Sequence, residues 1–145
     1  MPISDDGLKP YVLLPGQGVA GFDASVKASK RSTGGAFTLI ESRTAGGAPW
    51  HVHSREDEYL YVVSGTLSVS CGQEVFRAEP GAFVFLPRNV AHAWDVVSEE
   101  KATVLMMTVP AMLEEFLSEF HAASGQAAKD SVAEKYGIKF IPNKP

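Results

Sequence analysis

The segment TLSVSCG, residues 66–72, sets Leu67, Val69 and Cys71 on one side of an extended chain and Thr66, Ser68 and Ser70 on the other. That period of two is the pattern of a strand with one face on a core and one toward water. It constrains the fold because it keeps returning. GAFTLIES (35–42) alternates Phe37, Leu39 and Glu41 against Thr38, Ile40 and Ser42. YVLLP (11–15), YLYVVSG (59–65), GAFVFLP (81–87) and KATVLMMTV (101–109) are further apolar runs, several of them closed by glycine or proline. CGQEVF (71–76) reads as a tight hairpin around Gly72 and Gln73. Strands about every ten residues with turn signals between them predict an antiparallel sandwich or barrel. The strand–helix alternation of a doubly wound parallel sheet is absent.

The period changes after Pro110. Met112, Leu113, Phe116, Leu117 and Phe120 recur at helical spacing, with Glu114, Glu115, Ser118 and Glu119 opposite. Pro110 suits a first helical turn, and the glutamates near that end favour the helix dipole. A second helix is expected from about Asp130 to Tyr136, stopped by Gly137. IKFIPNKP is then a tail that docks Ile138, Phe140 and Ile141. The apolar stripe of the first helix is expected to pack on the barrel. The chain reads as one domain over residues 1–145, with a barrel core at about 35–110 and a helical segment at about 110–137.

With 45% hydrophobic and 21% charged residues the chain is globular rather than disordered. A net charge of -4 argues against nucleic-acid binding, which needs a concentrated basic face. The small basic cluster KASKRS (Lys27, Lys30, Arg31) reads as a solvated loop. The opening MPISDDGLKP lacks the pattern of a secretory signal, and no apolar run approaches membrane-spanning length. Cys71, the single cysteine, has no disulfide partner in the chain and reads as a packed thiol. A cytoplasmic location is the expectation.

Polar chemistry concentrates in HVHSREDEYLYVVSG (51–65). Residues two apart on a strand share a face, so the imidazoles of His51 and His53 can approach one metal ion. If a strand resumes after the polar SRED turn, Glu58, Leu60 and Val62 share a face. A carboxylate there would be costly without a partner, and a cation removes that cost. His92 is the natural fourth ligand. It follows FLPRNVA, where Pro87 breaks a strand and Asn89 can take a left-handed conformation, and it shares a face with Trp94 in HAWDVV. Three imidazoles and a carboxylate suit one divalent transition metal: iron, nickel, manganese, copper, cobalt or zinc. Asp57 would replace Glu58 if the spacing were one shorter, and is expected to be exposed. Glu56 is expected to be a solvated turn residue, and His121 a cap or surface residue of the helix. Trp50, Tyr59 and Tyr61 should face away from the metal. Leu60, Val62, Trp94 and Met106 are expected to line a substrate pocket.

Written as patterns, these segments are H-x-H-x4-E-x6-G and G-x5-P-x-N-x2-H. Together they resemble the two motifs of the cupin superfamily. Three positions depart from it: Asn89 stands where glycine is usual, Val96 where asparagine is usual, and Ala45 where a glycine precedes the first motif. The resemblance implies an all-β double-stranded β-helix, or jelly-roll barrel, with one or two C-terminal helices. It also implies metal ligation by His51, His53, Glu58 and His92. The ligand set, EYLYVVSG and the KYGIKFI tail together resemble bacterial quercetin-dioxygenase-like cupins. That resemblance implies a dioxygenase that cleaves a flavonol or related enolic aromatic with dioxygen, Glu58 serving as ligand and base. Two other readings stand beside it. One is a lyase, isomerase or decarboxylase for a small carboxylate, which calls for Arg88 or Arg43 near the metal. The other is a non-catalytic module that binds a small molecule. Strand edges and exposed aromatics, in a superfamily that commonly pairs, imply a homodimer.

Overall fold

In the computed structural model, residues 8–21, 24–142 and 144 are described. Met1–Gly7, on which the expectation about a secretory signal largely rests, lie outside them, as do Asn143 and Pro145 of the tail. Among the described residues no helix is long and apolar enough to cross a membrane.

Among the described residues, eleven strands form two antiparallel sheets around a shared core. The first sheet contains β1 (Val19–Gly21), β2 (Ala24–Ala28), β3 (Thr38–Thr44), β5 (Asp57–Ser64), β8 (Phe83–Leu86) and β10 (Ala102–Val109), in the order β1-β2-β3-β10-β5-β8. The second contains β4 (Gly47–His53), β6 (Leu67–Cys71), β7 (Glu74–Ala78), β9 (His92–Val96) and β11 (Ile138–Phe140), in the order β11-β4-β9-β6-β7. A short helix α1 (Lys30–Thr33) follows β2, and α2 (Leu113–Ala122) and α3 (Gln126–Lys135) precede β11. This is the double-stranded β-helix with C-terminal helices that the alternation and the motifs imply.

The period-two pattern places its apolar faces inward. Leu60, Val62, Leu67, Val69, Leu86, Trp94 and Val104 from both sheets form one cluster with exposures of 5% or less. Each such side chain contributes about 1.5–3 kcal/mol by leaving water. The β6–β7 hairpin turns at Gly72 and Gln73, with Cys71 opposite Glu74 and Gly72 at φ 59°. Gly47 is required by close approach: a Cβ there would lie 1.8 Å from the Trp94 carbonyl oxygen on the neighbouring strand β9.

A second cluster joins Ile40 on β3 to Leu113 and Phe116 on α2, Ala133 on α3 and Ile138 on β11. Polar contacts fix the start of α2 to the sheet. The Thr38 hydroxyl donates to Glu114 at 2.7 Å and accepts from the Met112 amide at 3.0 Å.

Several boundaries differ from the pattern-based expectation. Pro110 lies outside α2, because the chain turns after the cis Val109–Pro110 bond and becomes helical only at Leu113. Helix α3 begins at Gln126 rather than near Asp130. Gly125, at φ 85°, breaks the chain just before it, and the Gln126 amide donates to Asp130 at 2.8 Å, one turn along. The sheets also reach beyond residues 35–110, through β1 and β2 before and β11 after. The tail is itself a strand: Ile138 pairs with His53 and Phe140 with His51.

Candidate metal centre

Strand alternation turns His51 and His53 inward from β4, with Val52 between them on the opposite side. On β9, His92 lies directly across the ladder from His51. The turn between β4 and β5 is one residue shorter than SRED suggests, because Asp57 already belongs to β5. Glu58 is therefore the second residue of a strand, paired with Leu86 on one side and Thr108 on the other. Asn89 adopts φ 67°, and its amide donates to the His53 carbonyl at 2.7 Å, which holds the β8–β9 connection against the ligand strand.

His51, His53, Glu58 and His92 are all buried, and one donor atom of each lies within 4.8 Å of the other three. Their hydrogen bonds assign the tautomers. His51 Nδ1 is 2.6 Å from the Pro49 carbonyl, and His92 Nδ1 is 3.3 Å from the Val90 carbonyl. A carbonyl only accepts, so both Nδ1 atoms carry hydrogen and both Nε2 atoms carry lone pairs when neutral. His53 Nδ1 lies 3.3 Å from the Glu56 carboxylate, which sets the same tautomer.

Three lone pairs thus converge with a carboxylate. His51 Nε2 and His53 Nε2 are 3.1 Å apart. Glu58 Oε2 and His92 Nε2 are 2.9 Å apart, and among the described residues neither of these buried atoms has a hydrogen-bond partner of good alignment. Buried polar groups are normally paired. Acceptors aimed at a common point fit a divalent cation.

Protonation agrees. Burial, then the neighbouring His92, lowers the His51 pKa to about 4. Burial would raise that of Glu58; a proton donated from His92, and positive charge on His53, His92 or His51, would overturn this and hold it at about 2, a role that a cation between the same atoms can take over. Burial opposes the charged form of His53, while Glu56 and then Glu58 outweigh it and raise its pKa. A metal would therefore compete with a proton chiefly at His53.

The four ligands could hold one metal, and three of them, His51, His53 and Glu58, line a cavity of about 1010 Å³. Trp94 and Met106 line that cavity. Leu60 and Val62 do not. They share the face of Glu58 but lie farther along β5, where Leu67, Val69 and Val84 close over them at 0% exposure. The remaining apolar wall comes from Leu113, Phe116, Leu117 and Phe120 on α2 and from Ile138 and Phe140 on β11. Helical spacing had assigned the α2 residues to packing alone, and periodicity does not distinguish packing from lining a cavity.

Glu56 also corrects its expected role. It is 2% exposed, held under the turn by His53. The available signal was its place three residues after a ligand histidine. Asp57, by contrast, is turned outward and bridged by Arg88 at 3.2 Å, and hydrogen bonds from Arg88 lower its pKa. Arg43 lies at the far end of the cavity: it pairs with Thr103 on β10, whereas Glu58 pairs with Thr108. Five residues of strand separate those levels by roughly 17 Å. His121 is exposed at the cavity rim, its Nδ1 2.9 Å from the Leu117 carbonyl. Cys71 is half-buried beside the barrel core, and burial raises its pKa.

Residues 39–108 match the cupin domain family. A quercetin 2,3-dioxygenase of Bacillus subtilis is 30% identical over 118 residues, which cover 77% of this chain and 34% of that enzyme. An uncharacterized protein of Streptomyces coelicolor is 31% identical over 55 residues, or 38% of this chain and 52% of that one. The chain thus spans about a third to a half of the length of these curated relatives. The solved structure of KdgF from Halomonas sp. superposes with a TM-score of 0.55 at 20% identity, covering 63% of this chain and 81% of that one. A Klebsiella pneumoniae protein with a double-stranded β-helix domain does so at 0.52 and 16% identity, covering 74% and 86%. The two structures share the barrel fold with this chain.

Proposed function

The chain belongs to the cupin superfamily through the domain at residues 39–108, and on that premise we propose that it is a metal-dependent dioxygenase cleaving a flavonol or related enolic aromatic substrate. The observation that carries this reading is the convergence of three imidazole lone pairs and a carboxylate beside a roomy, largely apolar cavity that His51, His53 and Glu58 line. The similarity to the Bacillus quercetin 2,3-dioxygenase supports the same reaction class.

When bound, a first-row divalent metal supplies Lewis acidity to substrate oxygens and a redox partner for dioxygen. His51, His53, Glu58 and His92 would hold it, leaving room for substrate. Glu58, the one carboxylate in the cluster, is the group that would accept the enol proton as the substrate binds. Trp94 and Met106 line the same cavity and would keep water from the chelating head of the substrate.

The reading as a lyase, isomerase or decarboxylase is less well supported, because it needs a cation beside the metal. Arg88 is engaged with Asp57, and Arg43 belongs to the opposite end of the cavity. A pairing of two copies through the outer face of β5 and β8 belongs to the same proposal, as does a cytoplasmic setting.

Oxygen uptake by metal-loaded protein against a panel of flavonols and enols tests the reading. Turnover that falls at least a hundredfold in Glu58→Gln is the expected result. No uptake with any of them, and a Glu58→Gln variant that behaves like the parent, would return the protein to the non-catalytic binding modules.

A further inference from the structure

The cupin match ends at residue 108, but much of the cavity wall comes from residues beyond it. That wall carries three phenylalanines and is continuous with the candidate metal centre. The Phe140 ring centroid lies 6.0 Å from that of His51, the Phe120 centroid 5.6 Å from Phe140, and the Phe116 centroid 5.1 Å from Phe120. All four residues line the same cavity. A run of rings thus leads from a ligand imidazole out to helix α2.

The rings are held in place before any ligand arrives. Phe140 is fixed by backbone pairing of β11 with β4, directly opposite His51. Phe120 is held by Lys129, whose ammonium lies 4.5 Å from its ring centroid and donates to its carbonyl at 2.7 Å. Phe116 is 5% exposed in the cluster beneath. Preorganised aromatic walls favour flat apolar ligands, since ring pairs at these separations gain more than their buried area alone.

We propose that Phe116, Phe120 and Phe140 form a ring-binding subsite that selects substrates carrying a second aromatic ring beyond the metal-chelating head. This rests on the metal-chelating reading above and adds its specificity element. The subsite is built by the C-terminal segment, so selectivity and metal ligation reside in different parts of the chain.

Two chelators separate the subsite from the metal centre. 3-Hydroxyflavone carries the extra ring, and 3-hydroxychromone presents the same chelating oxygens without it. Binding of each to metal-loaded protein is followed by fluorescence and by calorimetry in the parent, Phe120→Leu and Phe140→Leu. The parent should bind 3-hydroxyflavone at least tenfold more tightly. Each variant should erode that preference roughly three- to tenfold while leaving 3-hydroxychromone unchanged, which also certifies fold and metal. Equal affinity of the parent for the two chelators overturns the subsite and leaves the metal reading intact. So does a loss that falls equally on both in the variants. Failure of both to bind the loaded parent overturns the chelation reading and the subsite with it.

Discussion

His53 and Glu56, three residues apart across the β4–β5 turn, meet at 3.3 Å with side chains 3% and 2% exposed. A carboxylate accepting from Nδ1 fixes the ring and raises the basicity of Nε2, the atom aimed at the other donors. Replacing Glu56 with alanine should therefore weaken metal binding about tenfold to a hundredfold. Glutamine, which keeps an acceptor, should cost much less. Competition against a chelating dye measures both, and an alanine variant equal to the parent would show the contact to be incidental.

Acid should act on the metal-free protein through His51. Its pKa is about 4 in the folded state against an ordinary 6.5, so the unfolded chain takes the proton first. The stability that neutral His51 confers is present above about 6.5 and is lost as pH falls toward 4, by up to ~3 kcal/mol. His53 works in the opposite direction, because its raised pKa adds stability below its ordinary value that is lost as pH rises. Urea midpoints at pH 7 and 4.5 should accordingly fall less on acidification in His51→Gln than in the parent, and more in His53→Gln. Identical pH dependence in all three proteins would contradict the assignment.

Gly47→Ala should be severely destabilising. Its Cβ would meet backbone, the Trp94 carbonyl at 1.8 Å, which no side-chain rotation relieves. Strands β4 and β9 would have to part, at a cost of about 3 kcal/mol or more. Both strands carry ligand histidines, so metal affinity should drop together with the urea midpoint. A variant with normal affinity and normal stability would mean that the two strands yield more easily than their pairing suggests.

The outer face of β5 and β8 should mediate self-association. Phe83 is 64% exposed, Phe85 49% and Tyr61 44%, and Tyr59 stacks on Phe85 at 5.2 Å. Among the described residues β8 is also an edge strand, with one side of its ladder unpaired. The parent should sediment as a dimer at micromolar concentration and a Phe83→Glu, Phe85→Glu double variant as a monomer. A monomeric parent would leave this face without the assigned role.

Alternation made the barrel legible, because a half-buried strand must repeat every two residues, as Leu67, Val69 and Cys71 do. Ligand candidates could be named for the same reason: His51 and His53 share a face by parity alone. What escaped is what parity does not encode. Glu56 sits in a turn, where burial depends on how tightly the chain folds back toward His53. Leu60 and Val62 follow the parity of Glu58 faithfully, yet depth along the barrel separates core from cavity. Phe116 and Phe120 follow a helical stripe that fits packing and pocket equally well. Where α2 lies against the sheets is a tertiary fact, fixed by contacts such as Thr38 with Glu114 and Met112.

Strand β11 joins β4 through main-chain hydrogen bonds, and the ladder reads the spacing of Ile138 and Phe140 rather than their identity. Backbone docking of that kind tolerates exchange of the side chains it presents. A different C-terminal segment with the same alternation could dock on the same ligand strand and offer the cavity a different wall. The barrel would then behave as a reusable socket, and new substrate preferences could be grafted by exchanging residues 113–140 while every metal ligand stays untouched.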